Sequence, residues 1–152
     1  MRADSQEKRC LLKLVSLLYV SRSALLPEAA PEAVKAIVAT SRGRNPDACL
    51  TGALLFTGEH FAQVLEGSPA AVDDLMARVA KDPRHTEIII IARKWITVRR
   101  FGDWSMAYSG PSQFVSRHVT RLLEDPRSPG QGRSAKWLKD LLWEFAEGPG
   151  AT

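Results

Sequence analysis

The sequence reads as an α+β sandwich of ferredoxin-like type, ordered β-α-β-β-α-β-β and followed by a helical hairpin. Three observations carry that reading. Five short apolar runs with strand character are interspersed with two segments whose apolar residues recur at helical spacing. The dipeptide Gly58-Glu59 joins two of the runs as a tight hairpin would, with glycine at the first turn position. Beyond residue 109 the pattern becomes two amphipathic helices separated by the Pro/Gly-rich stretch DPRSPGQGR.

The elements follow in chain order. Residues 1–10 are a polar, charged leader. Leu12 to Val20 is a short apolar run that predicts a central strand, with Val15, Leu17 and Tyr19 on one face and Leu14, Leu18 and Val20 on the other. Pro31 opens a helix at a favoured first-turn position. Val34, Ile37, Val38 and Ser41 form its stripe, and Gly43 with Asn45-Pro46 is expected to stop it. Leu50 to Thr57 and His60 to Gly67 are the hairpin strands. Ser68-Pro69 starts a second helix striped by Val72, Leu75, Met76 and Val79, and Asp82-Pro83 ends it. Glu87 to Arg93 predicts a buried strand. A basic stretch then leads to a last strand, Asp103 to Tyr108, with Trp104, Met106 and Tyr108 on one face. Both helices would cover one sheet face. The other face needs a cover, which the tail supplies through Val115, Val119, Leu122 and Leu123 and, in a helix capped by Ser134, through Leu138, Leu141, Leu142 and Phe145.

Bulk properties narrow the function classes. At 152 residues the chain is one domain with a small appendage. Its 21 Lys+Arg against 17 Asp+Glu give a net charge of +4, too weak to argue for nucleic acid, and the run Arg93 to Arg100 has a single interleaved aromatic, Trp95. Cys10 and Cys49 make no disulfide framework, Cys49 reads as a small buried residue, and His60, His85 and His118 show no metal spacing. No apolar run approaches the ~20 residues that span a bilayer, and the start lacks a signal-peptide core, so a cytoplasmic protein is expected.

One residue breaks the pattern. Gln63 shares a strand face with Phe61 and Leu65, and a buried amide without partners costs free energy. Tyr19, on a neighbouring central strand, is a candidate partner. Ser41 ends an otherwise aliphatic helix stripe, and Asn45 follows it. The residues alone leave two readings open: a self-satisfied Tyr–Gln hydrogen bond inside a plain core, or a slot between sheet and helices for a planar ligand with a polar edge.

Five segments, in order and at compatible spacing, carry a resemblance: LLYVSRS with Tyr19, SRGRNPDACLTGALLF with Asn45, FAQVLEG with Gln63, KDPRH with Arg84 and His85, and RRFGDWSM with Trp104 and Met106. From about Leu12 to Tyr108 the sequence resembles the BLUF family, the blue-light sensors that use flavin. The resemblance implies FAD as cofactor, with FMN and riboflavin as alternatives, its ring between the two helices that cover the sheet. Asn45 would bind the polar edge of the pyrimidine ring, Arg84 would reach a ring carbonyl, and Ser41 would line the pocket. His85 occupies a family position near the flavin without an assigned role. Gln63 would lie between Tyr19 and the N5/O4 edge, and Trp104 and Met106 would belong to the strand that changes on illumination. Arg44 stands where many members carry asparagine or histidine, which removes a second amide contact. Cys49, Leu50 and Ala107 are milder departures.

The implied mechanism is light-driven transfer of an electron and a proton from Tyr19, a rearranged Gln63 hydrogen-bond network, and a signal leaving through the last strand to the tail helices. The implied domains are the leader over 1–10, the flavin domain over 11–109 and a helical extension over 110–152, with no effector domain and no enzymatic activity expected. Such a short sensor would speak to a homo-oligomer or to a downstream protein. Two rivals remain at this stage: a flavin-free ferredoxin-like interaction module, and a small acyl-phosphate hydrolase using Asn45 with Arg42 and Arg44.

Overall fold

The structure is a computed structural model that describes residues 13–124 and 131–147. The predicted leader lies outside these residues. Among the described residues the order is β1 Leu14–Ser23, α1 Ala30–Asp47, β2 Thr51–Phe56, β3 His60–Gly67, α2 Pro69–Lys81, β4 His85–Ile96, β5 Trp104–Ser109, α3 Gln113–Glu124 and α4 Gln131–Glu147. The strands form one sheet in the order β4-β1-β3-β2-β5, antiparallel throughout except for the parallel pair β2 and β5. This is the expected ferredoxin-like arrangement with a fifth strand added at the β2 edge.

Alternation along the central strands builds two cores. Tyr19, Leu17, Leu54, Phe61 and Leu65 face α1 and α2, whose Val34, Ile37, Leu75 and Val79 meet them. Leu18, Val20, Ala62, Val64 and Leu55 face the other way, onto Val119 and Leu122 of α3 and Leu138 and Leu142 of α4. The C-terminal hairpin thus covers the second face as expected. Among the described residues no helix is long and apolar enough to cross a membrane.

Five local expectations are corrected. First, α1 does not stop at Gly43 or Asn45-Pro46 but runs to Asp47. Pro46 removes a backbone donor, but in a last turn that loss is small. The last-turn carbonyls of Arg44, Asn45 and Pro46 accept from the N–H groups of Ala48, Leu50 and Cys49, and Cys49 reverses the chain at φ 55. Second, Cys49 is therefore a half-buried reversal residue rather than a core filler, and it is not a free thiol. Third, β4 is an edge strand. Its isoleucine run predicts a buried strand, yet Ile90 is 52% exposed. The strand also pairs with β1 through two register shifts, with Glu87 at φ 50.

Fourth, Trp104, Met106 and Tyr108 do not share a face. The β2–β5 register skips Ala107: Leu54 pairs with Met106 and Leu55 with Tyr108. That one-residue bulge keeps Trp104 and Met106 on the α1/α2 face and sends Tyr108 to the hairpin, where its ring lies 5.3 Å from Phe145. Fifth, Ser134 lies inside α4, which begins three residues earlier at Gln131. Ser68, by contrast, caps α2 as expected, accepting from Ala71 N at 3.1 Å with Pro69 at the first helical position.

The basic stretch before β5 is structural in part. Arg99 donates to Thr51 Oγ1, Glu66 O and Cys49 O at 2.8–2.9 Å. Glu66, 2% exposed, accepts from Thr51 Oγ1 and from the N–H groups of Arg100 and Phe101. Together they staple the loop that delivers Trp104. Gly52, at the start of β2, takes φ 143, and a Cβ there would lie 1.9 Å from the Val64 carbonyl oxygen. Only glycine admits that approach.

Candidate functional site

A cavity of about 130 Å³ opens between the sheet and the α1/α2 layer. Cross-strand register sets Tyr19, Gln63 and Leu54 in a row along its floor, Tyr19 opposite Gln63 and Gln63 opposite Leu54, and beyond the lining Leu54 pairs with Met106. The expected Tyr19–Gln63 adjacency is therefore a property of the β1–β3 pairing.

Gln63 is 5% exposed and bonded at both ends of its amide. Nε2 donates to the Tyr19 hydroxyl at 2.6 Å, and Oε1 accepts from Trp104 Nε1 at 2.9 Å. An indole N–H only donates, so the amide atom facing Trp104 must be the oxygen. That leaves the NH2 for Tyr19 and assigns the amide's orientation. Trp104 is itself 5% exposed, so its indole belongs to the site and not to solvent. Met106 is half-buried on the same face. Burial raises the Tyr19 phenol well above its ordinary value against the opposing pull of the Gln63 hydrogen bond, so the phenol holds its proton.

Asn45 reaches the cavity because α1 runs on for two more residues. Its side chain sits on the last turn, 2% exposed, with Nδ2 buried and unpartnered. Ser41, one turn earlier, also lines the cavity. Arg84 is at the wall, but its fork is turned onto Asp82: Nε lies 2.8 and 3.0 Å from the two carboxylate oxygens and Nη2 lies 2.5 Å from Oδ2. That bond, above all, holds the Asp82 carboxyl below its usual range. Nη1 remains for another acceptor.

His85 gains a definite position. Its Nε2 donates to Val79 O at 3.0 Å, so Nδ1 accepts from Ser21 Oγ at 2.8 Å. With both nitrogens used, it offers the cavity only its ring, which lies 5.5 Å edge-on from Phe61 and 6.2 Å from Tyr19. Burial keeps the imidazole neutral by pushing its pKa down.

Sequence reading missed Arg78 on α2. It lines the cavity, its Nε is buried without a partner, and its Nη2 lies 3.4 Å from Asp74. Arg78 immediately precedes Val79 of the apolar stripe, on a flank that reads as solvated in sequence and is turned onto the cavity only by the facing sheet. Leu54 was missed as well, because its role comes from lying between Gln63 and Met106 across strands.

The cavity is thus walled by aliphatic and aromatic side chains and carries two buried donors, Asn45 Nδ2 and Arg78 Nε, that lack acceptors. Unpaired buried donors are costly. They fit a flat ligand with acceptor atoms along its edge, the pattern of a flavin's pyrimidine ring and its phosphates. Fold and cavity together define a ligand-binding α+β module.

Comparison with known proteins agrees. Residues 14–107 match the family BLUF, described as sensors of blue-light using FAD. The chain belongs to the BLUF family of blue-light flavin sensors. It is 33% identical over 90 residues to the photoactivated adenylate cyclase subunit beta of Euglena gracilis, covering 59% of this chain and 10% of that protein. It is 33% identical over 93 residues to the blue light- and temperature-regulated antirepressor BluF of Escherichia coli K12, covering 61% of this chain and 23% of that one. The dark-state structure of BlrB, a BLUF protein, superposes with a TM-score of 0.65 at 33% identity over 86% of this chain and 96% of BlrB. The chain thus spans about a tenth of the length of the Euglena relative.

Proposed function

We propose that this domain is a blue-light receptor that binds FAD between the sheet and the α1/α2 layer and signals through the Tyr19–Gln63–Trp104 hydrogen-bond chain. The carrying observation is that chain itself: a phenol and a two-ended amide on the floor of a cavity holding orphaned donors, with a buried indole bonded to the far end of the amide. Asn45 and Ser41 would hold the ring edge, with Arg84 Nη1 and Arg78 as further donors. His85 acts as a ring wall and keeps the ends of β1 and α2 together.

Bound flavin supplies, under blue light, a strong one-electron oxidant. Tyr19 is the nearby oxidisable side chain, and it gives up an electron together with its hydroxyl proton. Burial disfavours a phenolate, so the proton leaves with or after the electron and not ahead of it. Gln63 is the neighbour through which that proton can travel, but its NH2 now faces the Tyr19 hydroxyl, so the amide must turn its oxygen toward Tyr19 before it accepts. When the electron returns, the amide is left rotated or tautomerised. Rotation takes from the Trp104 indole the oxygen it now faces, and tautomerisation puts a proton on that oxygen and weakens it as an acceptor. Trp104 then has a buried donor to re-house, and Met106 is the neighbour on the same strand face positioned to take its place. Through β5 the change reaches Tyr108 and the α3/α4 hairpin, where a second copy of the chain or a separate protein would read it.

The test is a visible spectrum before and after blue light. Flavin bands with a reversible red shift of a few nanometres are expected, absent in Tyr19→Phe and Gln63→Leu although both retain the pigment. A normal photocycle in either variant would falsify the mechanism. A protein that stays colourless after reconstitution with FAD would favour the flavin-free interaction module.

A further inference from the structure

A second cavity, of about 410 Å³, lies on the opposite side of the sheet between β4 and α4. Cations converge on it from three places: Lys94 at the end of β4, Arg100 in the loop to β5, and Lys136 and Lys139 on α4. Its one lining carboxylate is already in use. Asp140 accepts from Arg100 Nη1 at 2.8 Å and from Lys136 Nζ at 3.4 Å. The other acid whose charge acts on Lys139, Glu66, is engaged with Thr51 and two backbone N–H groups. Lys94 and Lys139 therefore face the cavity with no carboxylate partner among the described residues.

Lys139 feels the imbalance. It is half-buried, and burial first, then the like charges of Lys94 and Arg100, hold its ammonium below the ordinary lysine range. Four cations against one anion, gathered around an apolar floor of Ile91, Ala92 and Ala135, are an arrangement that stability alone does not favour. Lysines suit phosphate as point charges, and the volume falls within the range of small-molecule sites. Arg100 is also held at 5.3 Å over the Trp143 ring, which fixes one cation in place.

We propose that the β4–α4 cavity binds a phosphate-bearing small molecule of nucleotide size, its phosphates on Lys94 and Lys139. It is a separate site from the flavin cavity, on the other face of the sheet. It also adjoins the Arg99–Phe101 loop that leads to Trp104.

The test is calorimetric titration of the flavin-saturated full chain with pyrophosphate and with ADP. Saturable binding of one equivalent is expected with the visible flavin bands unchanged. Lys94→Ala and Lys139→Ala should each weaken it about tenfold, the loss of one charged hydrogen bond. Asp140→Asn, which removes the competing anion, should tighten it. The proposal is overturned by an absence of saturable binding, by a response that sodium chloride reproduces at equal ionic strength, by binding that survives the double lysine variant, or by binding that displaces flavin. None of these outcomes depends on the photocycle.

Discussion

Gln63 has no spare hydrogen-bonding capacity on the side of its partners: Tyr19 takes the NH2 and Trp104 feeds the oxygen. Replacing Gln63 with Leu strands a buried indole donor and a buried hydroxyl, and unfolding by urea should show a loss of about 1–3 kcal/mol alongside the lost red shift. Full stability in that variant would mean that Trp104 leaves the site at little cost. Asn45 behaves oppositely. Its Nδ2 is an orphan in the protein without ligand, so Asn45→Ala should weaken flavin retention about tenfold or more while lowering apoprotein stability little. Retention is read by the flavin-to-protein absorbance ratio after gel filtration. Tyr19, Gln63, Asn45 and Ser41 were readable from sequence because polar residues stood on apolar stripes. Arg78 was not, because an arginine on a helix flank looks solvated until the facing sheet is in place.

At the scale of elements, two devices are invisible in periodicity. The bulge at Ala107 splits β5 between two cores, so one strand touches both Gln63 and Phe145. The other is a buried polar latch between the β2–β3 turn and α3. Ser116 Oγ donates to Thr57 Oγ1 at 2.7 Å and lies 3.3 Å from His60 Nδ1, with His60 only 1% exposed. Burial, more than the Arg22 charge, holds His60 below its ordinary 6.5, and burial does the same for His85. The unfolded chain takes up these protons near pH 6.5, whereas the folded chain resists until lower pH. The unfolded state thus binds more protons in that window, and stability falls as pH drops through it. Urea midpoints should decline from about pH 7 to about pH 5.5, less steeply in His60→Gln; parallel declines would remove His60 from the effect. Gly52→Ala, which drives a Cβ against Val64 O, should cost about 3 kcal/mol or more.

For the molecule as a whole, the sheet is a shared wall. The α1/α2 cavity lies on one side and the α3/α4 hairpin on the other, and the central strands serve both through alternate residues. The hairpin is therefore part of the fold as well as a candidate output surface. Leu138 and Leu142 are fully buried against Leu18, Val20 and Val64. Leu138→Ala or Leu142→Ala should each destabilise by about 2–5 kcal/mol. A chain ending after Ser112 should lose cooperative unfolding or precipitate, because it bares an apolar sheet face. A soluble, cooperatively folding truncation would show instead that the hairpin docks only weakly.

The sequence by itself determined the strand and helix order, the side of the sheet each central residue faces, and the residues that suit a flavin. Those follow from local periodicity and from motifs confined to single segments. Only the tertiary structure decided which strand is an edge, where α1 ends, that Ala107 divides β5, and that Gln63 is held between Tyr19 and Trp104. Each of these depends on partners distant in sequence. Strand order decided whether the isoleucines of β4 are covered, backbone acceptors and donors beyond Pro46 decided the helix end, and cross-strand register decided which side chains meet. Local pattern carries none of that information, because register and edge position are properties of pairs of strands.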